Sequence, residues 1–254
     1  MKGVDLIAHR DPSAMQNATL SPIPLLQRSF ELVGPIYWPL LILASPGFIL
    51  AIVTELTPLL GGIFSLAYIL IGMPILTGAA LWLVDQHLKG QAPLLGNSLD
   101  RAASKAVPLV FANILLVLIV LLGMSLLVLP GIYWGVRLAF ALCAIVLEDK
   151  GVTEGLGYSW NLVKGRWWGV FWALLMVAFM AMIVAPFAGG FIFGFTVGVI
   201  SPSAETFADR IVEAGSPVAG IAAITAVVPI LNVYVVLLFR SLQQLKGQAV
   251  SYWG

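Results

Sequence analysis

The sequence predicts an all-α fold: a polytopic membrane helical bundle of six transmembrane helices, paired as three hairpins, each preceded by an amphipathic interfacial helix. Composition is the first ground. Of 254 residues, 60% are hydrophobic and only 10% charged, and mean hydropathy is +1.01. A water-soluble domain of this size carries about a quarter charged residues. The second ground is a recurrence of apolar stretches near the roughly 20 residues needed to cross a hydrocarbon core. The third is the placement of the basic residues, which gather on one side of those stretches. Net charge is +1 and no basic stripe exists to neutralise phosphates, so nucleic acid is excluded as a partner.

Taken in chain order, residues 1–21 form an N-terminal tail, and residues 1–35 hold no early apolar run with a small-residue cleavage site, so the first span is expected to serve as an uncleaved insertion signal. A single transmembrane domain covers 22–246, in units of about 22–88, 91–150 and 152–246, followed by a tail at 247–254. The spans are Tyr37–Glu55, Leu60–Val84, Ala106–Leu129, Ile132–Leu147, Trp167–Val199 and Ala219–Phe239. Pro130-Gly131 marks the turn from the third to the fourth. The fifth would extend about 50 Å against a core of about 30 Å, and Pro186, with Gly189 and Gly190 after it, is where a kink or break is expected.

The basic residues give the orientation. Lys2, Arg10 and Arg28 precede span one, and Lys89, Arg101 and Lys105 lie between spans two and three. Lys150, Lys164 and Arg166 lie between spans four and five, while Arg240 and Lys246 follow span six. Against these eleven stands only Arg210, in an expected loop with Glu205, Asp209 and Glu213. Both termini are therefore expected in the cytoplasm, with the chain in a plasma membrane.

The segments before the odd-numbered spans share a spacing. Leu26, Ser29, Phe30, Val33 and Tyr37 correspond to Leu95, Ser98, Leu99, Ala102 and Ala106, and to Leu156, Ser159, Trp160, Val163 and Trp167. The apolar members fall at i, i+4, i+7 and i+11, one stripe of a helix. Each such helix is expected to lie along the membrane surface before turning into its span.

Polar groups at membrane depth are costly and so are the candidate functional residues. Arg137 lies five residues into the fourth span counted from Ile132, about 8 Å below the outer interface. It has two readings: a structural partner of Glu55 or a snorkelling side chain, with Tyr133 one turn away, or an anion-binding group. Asn113 and Asn232 suit interhelical hydrogen bonds or a polar pathway. Gly190, Gly194 and Gly198 form a stripe that lets another backbone approach, within the bundle or in a homodimer. Trp38, Trp167, Trp168 and Trp172 read as interfacial anchors. Cys143 is the lone cysteine, and His9 and His87 stand apart from any ligand array, so no disulfide, metal site or cofactor is expected. No phosphate loop, nucleophile elbow or paired intramembrane carboxylates mark an enzyme.

Leu129-Pro130-Gly131-Ile132-Tyr133 with Arg137 four residues on, Glu148 closing the helix, and Ser159-Trp160-Asn161-Leu162-Val163-Lys164-Gly165 leading into an aromatic-rich span form a recognisable run. It resembles the glycerophosphoryl diester phosphodiesterase membrane-domain family and the YciC-like bacterial inner-membrane proteins. The resemblance implies a helical membrane bundle in a bacterial inner membrane. Family members often carry Pro in the fourth span, where this chain has Ala141-Leu142-Cys143. The phosphodiesterase barrel is not implied: it needs about 250 residues, about 35 precede the first span, and His9-Arg10 is followed by Asp11 rather than glycine. The expected function is a non-catalytic scaffold, assembly or regulatory partner of a membrane complex or of lipids. The alternative is a transporter-like carrier for a small or amphiphilic molecule, with Arg137 facing its cavity.

Overall fold

The computed structural model describes residues 22–200 and 207–251, with side chains described at 22–54, 57, 59–183 and 220–247. Among the described residues every regular element is helical. An apolar chain in lipid must satisfy its backbone internally, and helices do this within one segment.

Helix α1 (Pro22–Val33) passes through one 3-10 turn, Gly34–Ile36, into α2 (Tyr37–Leu56). After Thr57, α3 (Pro58–Ala67) continues through a π-helical turn, Tyr68–Gly72, into α4 (Met73–Leu88). The middle of the chain forms α5 (Leu95–Ser104), α6 (Ala106–Leu126), α7 (Val128–Leu138) and α8 (Ala141–Leu147). The remainder forms α9 (Val152–Val163), α10 (Trp167–Ile200) and α11 (Phe207–Ser251). Five helical stretches are long and apolar enough to cross a membrane, and α9 with the first half of α10 makes a sixth if that bent pair is one span. The protein is a helical membrane protein.

Neighbours in sequence are neighbours in space: α2 packs on α3, α6 on α7, and α10 on α11. The α6–α7 turn is a single residue, Leu127, and it is possible because two glycines meet there. A Cβ on Gly123 would stand 2.7 Å from the Gly131 Cα, and one on Gly131 would stand 2.8 Å from the Met124 amide nitrogen. The other main contacts join different units: α1 packs on α11, α5 on α4, and α9 on α8. The core lies where these meet, with Phe140, Tyr234, Phe239, Leu83, Leu109 and Leu238 fully buried.

The three spaced segments correspond in burial as well as in sequence. Ser29, Ser98 and Ser159 are buried, and with Asp85 they are the buried polar residues among those described. The residues four positions further along, Val33, Ala102 and Val163, are buried too. By contrast Phe30, Leu99 and Trp160 are exposed. The apolar stripe therefore divides: the serine turns inward and the bulky apolar residue beside it turns out toward lipid. A hydroxyl tolerates burial when it bonds a carbonyl, and Ser29 and Ser98 donate to the Leu25 and Leu94 carbonyls at 2.8 and 3.0 Å.

Several boundaries differ from the sequence reading. At Pro186, where a kink or a break was expected, α10 does not break: it is helical from Trp167 to Ile200. Asp209, Arg210 and Glu213 lie on α11 rather than in a loop, and Glu205 falls outside the described residues. The same helix continues past 247 to Ser251, where a tail was expected. A break appears instead at Ala139-Phe140, between α7 and α8, with no proline or glycine at that point. The first amphipathic helix joins its span as one apolar stretch, Pro22–Thr54, whereas the third turns into α10 by 102°. Gly165, at φ +84°, supplies the left-handed conformation of that corner.

Candidate functional site

Two groups of polar side chains sit where α4, α7, α8, α9 and α11 come together. The first forms around Arg240. Asp85, Glu148 and Arg240 each follow directly on a long apolar run, of spans two, four and six respectively. Arg240 donates to Asp85 Oδ1 from Nε at 2.9 Å and from Nη2 at 2.6 Å, and to Glu148 Oε1 from Nη1 at 2.6 Å. The same Nη1 also donates to the Gln243 side-chain oxygen at 2.8 Å, and the Gln243 amide donates to the Tyr158 hydroxyl at 2.7 Å. Asp85 is 1% exposed. Lys89 Nζ stands 2.6 Å from its other oxygen, Oδ2, as an ion pair, without the alignment of a hydrogen bond. One arginine thus ties together helices from all three units. A buried carboxylate is tolerable only when paired and hydrogen-bonded in this way.

Beside it, Asp149 takes a left-handed conformation at φ 58° just past α8. Its carboxylate pairs with Lys105 and, at 3.1 Å, with Arg101. The Lys105 hydrogen bond and charge, then the Arg101 charge, hold the Asp149 carboxyl below the usual carboxylate range. Arg101 also donates to the Val146 carbonyl at 3.1 Å and lies over the Trp82 ring, 4.8 Å from its centroid.

The second group forms around Arg137. Its Nη1 donates to the Trp160 carbonyl at 3.0 Å and its Nη2 to the Tyr133 hydroxyl at 2.7 Å. The guanidinium lies 4.7 Å from the Trp160 ring centroid and 5.1 Å from that of Tyr133, within cation–π range of both. Trp167 packs on Tyr133 with centroids 5.6 Å apart, and its indole N–H donates to the Tyr133 carbonyl at 3.3 Å. Beneath this cluster Ser159 bridges the break in the fourth apolar stretch. It donates to the Arg137 carbonyl at 2.8 Å and accepts the Phe140 amide at 3.1 Å. The amide that the break leaves without a helical partner is thereby satisfied.

A family model described as a domain of unknown function (DUF7847) matches residues 113–242, just over half of the 254 residues. The chain belongs to this family. No match to the chain is found among curated proteins or among solved structures. The DUF7847 match takes in Arg137, Tyr133, Ser159, Trp160, Glu148 and Arg240, and leaves Asp85 and Lys89 outside it.

The expected site residues fall into place unevenly. Arg137 and Tyr133 are in direct contact. Because α7 starts at Val128 rather than Ile132, Arg137 is nine residues into its helix, about 14 Å from the helix start. It meets Ser159 and Trp160 rather than the outer end of the bundle. Glu55 is on the last turn of α2, and its side chain lies outside those described. Asn113 donates to the Ile69 carbonyl at 3.1 Å, in the π turn. Asn232 is half-buried on α11, apart from these contacts. Gly190, Gly194 and Gly198 are on α10, and what faces them lies outside the described side chains. Among the described residues no group of His, Cys, Asp and Glu has metal-holding geometry.

Sequence reading missed the Asp85–Arg240–Glu148 contact. Its one visible signal was that the second, fourth and sixth apolar runs each end on an ionisable residue.

Proposed function

We propose that the chain is a six-span, non-catalytic membrane protein, built as three hairpins each led by an amphipathic helix, which acts by contact as a scaffold or assembly partner of a membrane complex or of lipids. The observation that carries this reading is how its polar groups are used. Arg240 joins Asp85 to Glu148, Ser159 closes a helix break, and Asn113 serves a backbone carbonyl. A carrier needs polar groups turned toward a passage, and these are turned toward one another. The positive-inside distribution supports cytoplasmic termini. The resemblance of residues 129–165 to the glycerophosphoryl diester phosphodiesterase membrane-domain family supports a bacterial inner membrane.

Native mass spectrometry of the protein extracted from its own membrane in mild detergent tests the reading. A stoichiometric protein partner is the expected result. A lone particle that transports a solute in reconstituted vesicles, with transport lost on Arg137→Ala, would replace it with the carrier.

A further inference from the structure

The basic residues divide into two kinds. Lys89, Arg101, Lys105 and Arg240 each pair with a carboxylate. Arg28, Arg137, Lys150, Lys164, Arg166 and Lys246 pair with none among the described side chains; of these Lys164 and Arg166 sit at the corner where α9 turns into α10, and Arg137, on α7, reaches the end of α9 through the Trp160 carbonyl. Lys164 is exposed and Arg166 half-buried. A guanidinium has five N–H donors, and Arg137 uses one on the Trp160 carbonyl and one on the Tyr133 hydroxyl. Its Nε–H is buried without a partner, and each terminal nitrogen keeps a second N–H. The charge is thus held in place but not neutralised.

The surface around this charge is aromatic and open. Trp160 is 36% exposed, Tyr133 37%, Trp172 57% and Trp168 66%. Amphipathic rings of this kind settle at the headgroup level of a bilayer, and a planar guanidinium matches a phosphate better than an ammonium does. The carbonyl and hydroxyl that orient Arg137 leave its remaining terminal N–H groups for an acceptor that carries negative charge. Exposed indoles would flank the acyl chains, and Lys164 with Arg166 would add electrostatic attraction to an anionic surface.

We infer that the α9–α10 corner is a binding site for the phosphate of an anionic phospholipid headgroup, with Arg137 as the direct contact and Lys164 and Arg166 as supporting charges. The inference deepens the contact-protein reading by naming a lipid, and it rests only on the chain lying in a membrane. A missing protein partner would remove the scaffold and leave this site standing.

The test is native mass spectrometry of the full chain in detergent with equal amounts of phosphatidylglycerol and phosphatidylcholine, repeated with inorganic phosphate added. Retention of phosphatidylglycerol over phosphatidylcholine is expected, with about tenfold weaker retention in Arg137→Gln, the scale of one lost charge-assisted hydrogen bond. Arg137→Lys should fall between the two, and millimolar inorganic phosphate should leave the bound lipid in place. Equal retention of the two lipids, or full retention by Arg137→Gln, would overturn the inference. Displacement of the lipid by inorganic phosphate would assign the site to a free anion instead. Should Arg137→Gln fail to fold, the double variant Lys164→Gln with Arg166→Gln is expected to lower the preference severalfold, and an unchanged preference would remove the corner from the site.

Discussion

Asn113 and Pro74 lie on different helices and share an interest in one carbonyl. In the π turn Met73 donates to Tyr68, five residues back. The next donor in that register would be residue 74, a proline with no N–H, so the Ile69 carbonyl loses its helical partner. Asn113 takes its place at 3.1 Å. Asn113→Leu should therefore lower the thermal midpoint in detergent, at a cost of about 0.6 kcal/mol and at most about 1.7. In a Pro74→Ala background, where the backbone can serve Ile69 itself, the same substitution should cost clearly less. Additive costs in that double-mutant cycle would refute the shared carbonyl. Asp149 offers a second residue-scale test. Its carboxyl sits below its ordinary value of 3.8 through Lys105 and Arg101. The folded state therefore favours the charged form, and that stabilisation is full above the ordinary value and disappears as pH falls through the lower folded value. Melting curves should show wild type above Asp149→Asn at neutral pH and the two converging below about pH 4; a constant gap would exclude the ion pair as its source. Asp149→Gly should lose the pair and yet relieve the φ of 58°, and so should melt above Asp149→Ala.

Among the elements, the recurring serine was legible in the sequence and its use was not. Spacing alone placed Ser29, Ser98 and Ser159 at equivalent sites, but only the third reaches across to another helix. Ser98→Ala removes a bond within its own helix, whereas Ser159→Ala strands the Phe140 amide in the core. Such an orphan costs about 1–3 kcal/mol, so thermal melts should rank Ser159→Ala well below Ser98→Ala; equal effects would mean that the break does not depend on Ser159. The break was illegible for the same reason: Ala139-Phe140 contains no helix breaker, and what holds it open comes from residue 159. The Gly123–Gly131 crossing could be suspected from Pro130-Gly131, but the closeness of the approach could not. Gly123→Ala should destabilise by about 1–3 kcal/mol through overpacking. Gly62→Ala, with nothing within 4 Å of its added carbon, should not. A neutral Gly123→Ala would show that the hairpin can open at little cost.

For the molecule as a whole, the apolar stretches were readable because the thickness of a bilayer dictates their length, and five of them are present, or six if the bent pair is one span. Which ends meet was not readable. Arg240 finds Asp85 across 155 positions and Glu148 across 92, and no local pattern encodes separations of that size. Arg240→Gln leaves Asp85 buried with only Lys89, and removing one member of a buried pair costs about 3–5 kcal/mol. The double variant Asp85→Asn with Arg240→Gln should recover part of that loss in a thermal melt; no recovery would place the value of Arg240 in its Glu148 contact instead.

That distance along the chain also sets a waiting time. At a synthesis rate of about 5–20 residues per second, the 155 positions from Asp85 to Arg240 take roughly 8–30 s to make. Over that interval Lys89, four residues from Asp85 and already beside it in the chain, is the only one of its two cationic partners to have been synthesised. Helix α11, made after every other described helix, thus supplies the second cationic partner of a carboxylate made 155 positions earlier. A nascent chain stalled before Arg240 would accordingly hold Asp85 with Lys89 as its one cationic partner.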